Sequence, residues 1–199
     1  MLILASASPR RQELLRSANI EFAVRPANII EMRRAEEAPE VHVRRLAREK
    51  AQAVAGQLAV GDVVLGADTE VVLDLRSGAP LGKPRDADDA ARMLGLLSGR
   101  SHYVLTGVCL LWKDANDQTQ SAEASETTIV NFQQISEKEI VDYVATAEPL
   151  DKAGAYAIQG IASRWIPRIG GCYFNVVGLP VPLVYRMLRE HAPKALTRC

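Results

Sequence analysis

The chain has 199 residues and is 48% apolar, enough to bury a substantial core in one large domain or two compact lobes. Its 24 Lys/Arg equal its 24 Asp/Glu, which excludes the overall basic surplus that drives non-specific nucleic-acid or membrane binding. Any anion site must be local, and residues 1–50 carry ten Lys/Arg against seven Asp/Glu while residues 113–152 carry three against nine, so positive charge gathers near the N-terminus. Cys109, Cys172 and Cys199 are too scattered for a disulfide framework or a CxxC metal site. With no secretory leader and no apolar run of membrane-spanning length, a cytoplasmic protein is expected.

In chain order, residues 1–5 form a short apolar run expected as a buried strand, and Ser8-Pro9 then supplies an N-cap and a proline at the first helical position. A helix is expected over 9–18, a second strand over 21–25, and a polar loop carrying Glu31 over 26–38. Val43, Leu46, Ala47, Ala51 and Val54 form the apolar stripe of a long amphipathic helix over 39–58. Residues 63–67 read as a buried strand that ends at Asp68-Thr69, with 71–73 continuing extended toward a loop at Ser77-Gly78.

Further on, a helix with an acidic first turn is expected over 86–97, and long strands over 103–112 and 125–132 with a polar loop over 113–120. Ser136-Glu137-Lys138-Glu139 is a capping box that opens a helix to about residue 146. Residues 165–169 and 172–176 read as a hairpin about Gly170-Gly171, and 182–191 as a final helix. Strands and helices alternate without repeats, which places the chain in the α/β class as a mixed twisted sheet flanked by helices.

Four groups of residues can carry chemistry. Ser6-Ala7-Ser8-Pro9-Arg10-Arg11, at a strand-to-helix junction, can cradle phosphate through free helix N–H groups, the Ser8 hydroxyl and two guanidinium groups; a capped surface helix with solvated arginines is the alternative. Asp68, at an expected strand mouth, suits metal binding or general-base work, and Glu31 can add a second carboxylate. His42, His102 and His191 lack zinc-type spacing, so a metal ion should be hard, Mg²⁺ or Mn²⁺, held by carboxylates and phosphates. Lys50 and Lys83 can each reach a phosphate. Gln159, in the small-residue run Asp151 to Gly160, can pair with a base edge. GxxxxGK[ST], GxGxxG after a strand, and GxSxG are all absent.

Ser6 to Arg11, Leu46-Ala47-Arg48-Glu49-Lys50-Ala51, Gly66-Ala67-Asp68-Thr69, Gly82-Lys83-Pro84, Ser98-Gly99-Arg100-Ser101-His102 and Asp151 to Gly160 together closely resemble, in order and spacing, the Maf family of nucleoside triphosphate pyrophosphatases. The resemblance runs from about Leu2 to Glu190. It implies one domain over 1–191 with a tail over 192–199, a fold related to the inosine triphosphate pyrophosphatases with two lobes about a deep cleft, divalent-metal dependence and a homodimer. It also implies hydrolysis of dTTP and UTP, with modified pyrimidine nucleotides as further candidates, to the monophosphate and pyrophosphate. By motif, Asp68 matches the proton acceptor; Arg10, Thr69 and Gln159 match specificity positions; Ser8, Arg11, Lys50 and Lys83 match phosphate-handling positions; and Glu31 with Asp68 matches the metal site. The partner implied is a pyrimidine nucleoside triphosphate, without nucleic acid or membrane.

The chain departs from the pattern at Ile30, where an acidic residue often precedes the glutamate, and at Glu70, which replaces the usual apolar residue after Asp-Thr. Strand alternation puts residues 68 and 70 on one face, where the added carboxylate can alter metal affinity. The tail from Pro193 is expected to fray. A nucleotide-sensing protein without turnover and a nucleic-acid binder using the basic N-terminal helices are the rival readings, the second disfavoured by neutral charge and few aromatics.

Overall fold

The computed structural model describes residues 1–76 and 79–196, and only the backbone of Gln57; the expected Ser77-Gly78 loop lies outside the described residues. The elements run β1 (Leu2–Leu4), α1 (Pro9–Ser17), β2 (Ala23–Val24), α2 (Pro39–Val54), β3 (Val63–Val72), α3 (Ala87–Leu97), β4 (Ser101–Lys113), β5 (Thr119–Asn131), α4 (Glu137–Ala145), β6 (Arg168–Gly170), α5 (Tyr173–Val177) and α6 (Val181–His191). Short 3₁₀ turns fill Ala55–Gln57, Glu148–Asp151, Ala153–Ala155, Ile161–Trp165 and Pro193–Leu196. The strands form a six-stranded mixed sheet in the order β2-β1-β3-β4-β5-β6, parallel across β2-β1-β3 and antiparallel beyond. The expected α/β class with helices about a mixed sheet is what the chain adopts. No helix among the described residues is long and apolar enough to cross a membrane.

Alternation along the strands divides the core. Leu2, Leu4, Val63, Leu65 and Ala67 face a large apolar cluster with α1, α3, α4 and α6, whereas Ile3, Ala5, Val64, Cys109 and Leu111 face Ala47 and Ala51 of α2. Helix α1 thus covers one face and α2 the other. Because the two helices leave on opposite faces, the carboxyl end of β1 opens into a crevice, the position where open α/β sheets bind ligands.

Helix α2 lies unusually close to the sheet, and two glycines permit it. A Cβ at Gly66 would sit 2.0 Å from the Ala47 carbonyl oxygen, and one at Gly107 would sit 2.2 Å from that of Val43. Both obstacles are helix backbone, which cannot yield as a side chain can. Gly107 pairs directly with Asp68 across β3 and β4, so the tight approach is centred on Asp68.

Four local expectations are corrected. Asp68 is not at the end of a strand: β3 runs unbroken through Val72 because β4 pairs with it along its whole length. Only β1 stops, its last bond to β3 being Ala5 N–H to the Leu65 oxygen, so beyond Leu65 that edge of β3 is open. The 165–176 hairpin does not form. Thr128 Oγ1 accepts from Cys172 N–H (3.1 Å) and from the buried Asn175 amide (3.0 Å), and donates to the Cys172 oxygen (3.0 Å). These bonds anchor residues 172–177 as α5 instead of a return strand. Strand β5 begins at Thr119, well before 125, because its polar half pairs fully with β4. The tail does not fray at Pro193: that residue opens a 3₁₀ turn through Leu196, behind the stacking of His191 on Trp112 at 5.4 Å, while residues 197–199 lie outside the description.

Two outcomes follow from this packing. Gly107→Ala forces α2 off the sheet and costs about 1–3 kcal/mol, read as a lowered urea midpoint; an unchanged midpoint contradicts the close approach. His102 is fully buried, with Nε2 2.8 Å from the Tyr156 hydroxyl, and burial pulls its pKa from 6.5 down to about 4. The unfolded chain takes up a proton near 6.5 that native His102 refuses until about 4, so stability falls as pH drops through that window, by about 1.4 kcal/mol per unit. His102→Gln should flatten that part of the slope of urea stability between pH 7 and 4.5.

Candidate active site

The crevice at the end of β1 is a cavity of about 670 Å³, within the range of small-molecule sites. Its lining brings together Ser8, Arg10, Arg11, Glu31, Lys50, Asp68, Thr69 and Lys83, which span 76 positions of sequence from first to last. Arg10, Arg11, Lys50, Lys83 and Lys152 face it with Glu31, Asp68 and Asp151, a local excess of two positive charges in a chain of zero net charge. A shallower recess of about 450 Å³ behind α1, lined by Arg16, Asn19, Glu21 and apolar neighbours, gathers no comparable set.

The N-terminus of α1 forms one wall. Ser8 occupies the N-cap position with Pro9 following, yet its side chain makes no capping bond, so the first-turn N–H groups receive no cap from Ser8. That end is suited to an anion. Arg10 pairs with Asp151 at the rim, at 3.3 Å. Lys83 is exposed and has no partner among the described residues.

Arg11 differs. Its Nε donates to the Gly178 oxygen (2.9 Å), Nη1 to the Ala67 oxygen (2.8 Å) and Ser6 Oγ (3.2 Å), and Nη2 to Thr69 Oγ1 (3.1 Å). It therefore satisfies the Ala67 carbonyl on the edge that β1 leaves open. Burial lowers its pKa, Asp68 and Glu31 oppose that shift, and Arg10 adds to it. Thr69 also meets Thr106 Oγ1 at 3.0 Å and donates to the Gly178 oxygen at 3.3 Å, on the opposite face of β3 from Asp68.

Behind that wall, the Lys50 ammonium sits 2.6 Å from Asp68 Oδ1 and 2.7 Å from Glu31 Oε1. Asp68 and Lys50 are buried and Glu31 is half exposed, so the pair is reached through the Glu31 side. Two carboxylates already converge on one positive charge, and their hard oxygens suit a hard divalent cation.

Two turns back along α2, His42 Nε2 lies 3.0 Å from Glu70 Oε1, and His42 Nδ1 lies 2.8 Å from Glu37 Oε2. Arg45 grips Glu37 through Nε (2.6 Å) and Nη2 (2.7 Å) and, with His42 adding, holds its carboxyl far below the usual range. Glu70 is different: burial pushes its carboxyl up to about 7, with His42 opposing and Asp68 adding.

Gln159 is exposed and does not line the cavity. The first half of its motif does, through Asp151, Lys152, Ala153 and Tyr156, and Val176 to Gly178 complete the wall. The 151–156 contribution was signalled by small residues bracketed by charge. That of 176–178 was masked by the hairpin reading.

Known proteins bear on this arrangement. A chain from Koribacter versatilis described as a dTTP/UTP pyrophosphatase is 54% identical over 189 residues, covering 95% of this chain and 93% of its own. One of the same description from Syntrophomonas wolfei is 49% identical over 193 residues, covering 97% and 98%. Among solved structures, the Staphylococcus aureus Ham1 protein aligns with a TM-score of 0.50 at 14% identity, over 95% of this chain and 98% of that one, a likeness of fold alone. The profile of the family described as Maf-like protein matches residues 1–191, the stretch that contains the whole cavity, and the chain belongs to that family.

Proposed function

We propose that this chain is a nucleotide pyrophosphatase that hydrolyses dTTP and UTP to the monophosphate and pyrophosphate, residues 1–191 acting as one domain. The single observation that carries the reading is the convergence, in one cavity, of an uncapped helix N-terminus and five cationic side chains on a buried carboxylate. The relatives' descriptions supply the substrate class.

A triphosphate is a polyanion that needs several cations before water can approach it, and positioned positive charge is the main catalytic resource. The N–H groups opening α1, the Ser8 hydroxyl, Lys83 and Arg10 would take its phosphates, with Lys152 at the rim. Arg11, already bound to four acceptors, would hold the wall and lend charge without changing partners. Water attacks the α-phosphorus, the bond to the bridging oxygen breaks, and pyrophosphate leaves. Asp68 would take the proton from that water, Lys50 at Oδ1 fixing the carboxylate's orientation. Glu31 and Asp68 would hold the Mg²⁺ or Mn²⁺ ion, which supplies neutralisation of the phosphate oxygens when bound. Arg10 and Thr69, both in the lining of the cavity, would bear on substrate choice, and Gln159 would have to reach in from its exposed position to meet a pyrimidine edge.

Asp68→Asn keeps the shape of the site and removes the base, so kcat for pyrophosphate release from dTTP with Mg²⁺ should fall about 10²–10⁴-fold while thermal unfolding remains cooperative. Activity within twofold of the parent in a folded variant refutes the assignment of Asp68. In a panel of triphosphates, dTTP and UTP should be cleaved at least tenfold more efficiently than ATP or GTP; a purine preference overturns the proposed substrate class.

A further inference from the structure

Glu70 is not used by the chemistry proposed for Asp68, yet it is a buried carboxylate on the same face of β3. Its Oε2 is buried and has no hydrogen-bond partner, an expensive arrangement for an acceptor. Its Oε1 lies 3.0 Å from His42 Nε2. His42, Asp68 and Glu70 are all buried, and each offers one ligand atom such that the three lie within 4.8 Å of one another.

Hydrogen bonds orient the imidazole. Arg45 Nη2 donates to the Met32 oxygen at 2.9 Å and to Glu37 Oε2 at 2.7 Å, and it lies 3.0 Å from His42 Nδ1. Nδ1 also lies 2.8 Å from Glu37 Oε2, and in the tautomer whose Nδ1–H donates to that carboxylate, Nε2 is the ligand atom that faces Glu70, any proton it shares with Oε1 being the one a metal ion displaces. A carboxylate that orients a histidine through its far nitrogen is the usual support of a metal-binding imidazole. The 3.0 Å gap between Nε2 and Oε1 matches two adjacent ligands on one ion with bonds of about 2.1 Å.

We propose that His42 Nε2, Glu70 and Asp68 form a second cation site, one that takes an imidazole-accepting divalent transition metal such as Mn²⁺ or Co²⁺ in preference to Mg²⁺, with Asp68 shared between it and the Glu31 side. The unpartnered Glu70 oxygen becomes a ligand, and the buried carboxylates gain a counter-charge. Magnesium favours oxygen and water over imidazole, so the nitrogen supplies the discrimination. The site shares Asp68 with the proposed reaction, but its occupancy can be read on the full chain without substrate.

The test is electron paramagnetic resonance of the metal-stripped protein titrated with Mn²⁺. Spin-echo modulation from a directly bound nitrogen is expected in the parent and absent in His42→Gln. Mn²⁺ affinity should fall about 10–100-fold in His42→Gln and in Glu70→Gln, with cooperative thermal unfolding checked for each without metal. Mn²⁺ bound to the parent without nitrogen coupling, no Mn²⁺ binding at all, or affinity within twofold of the parent in both variants overturns the site. Should a variant fail to fold, the nitrogen coupling of the parent alone decides. None of these readouts depends on turnover, so an inactive protein that binds Mn²⁺ through nitrogen would contradict only the proposed function.

Discussion

The seating of α2 on the sheet is the constraint from which the rest of the site follows. Gly66 and Gly107 let helix backbone occupy space that a Cβ would fill, and that approach sets Lys50 against Asp68 and, two turns back, His42 against Glu70. A buried carboxylate is tolerable only with a partner, because the desolvation cost of an unpaired charge amounts to several kcal/mol. Asp68 meets that condition through a lysine that reaches it only because the helix lies so low. Glu70 does so incompletely, through one oxygen.

The second organising feature is an early stop. Strand β1 ends while β3 continues, leaving carbonyls on the edge of β3 that must find donors. Arg11 takes that of Ala67, and the Leu81 N–H takes that of Val71 at 2.7 Å. The same guanidinium reaches Gly178 after α5, so the open edge, the start of α1 and the C-terminal part of the chain are joined around one side chain. Asn175, fully buried and donating to the Val104 oxygen at 2.9 Å, holds α5 in place for that contact.

Much of this was legible in the sequence where period and capping agree. The Ser8-Pro9 start of α1, the apolar stripe of α2 and the capping box at Ser136 and Glu139 each specify an element through local chemistry, and each element forms. Of the site residues expected from the motifs, those from Ser8 to Lys83 do share one cavity, and Gln159 stands outside it. What the sequence hid is non-local. Gly170-Gly171 flanked by apolar residues has the local signature of a hairpin, and bonds to Thr128 and Val104, more than forty positions earlier, divert the following segment into α5. Asp68 was read as a strand end because Asp-Thr interrupts an apolar run, whereas its cross-strand neighbours keep it inside β3. His42 and Glu70 are 28 positions apart with no metal-binding spacing, and the contacts that tie them to Glu37 and Arg45 exist only once α2 lies on the sheet.

On the proposed function, positive charge at the mouth, a buried carboxylate and a tightly seated helix between them would hold a triphosphate against a base. A crystal structure of the protein with Mg²⁺ and a thymidine triphosphate analogue carrying a non-hydrolysable α–β bridge tests this most directly. The triphosphate should lie between the start of α1, Lys50 and Lys83, with the α-phosphorus beside Asp68 and α2 still seated on Gly66 and Gly107. An analogue whose α-phosphorus lies away from Asp68, or whose triphosphate lies outside this cavity, would contradict it.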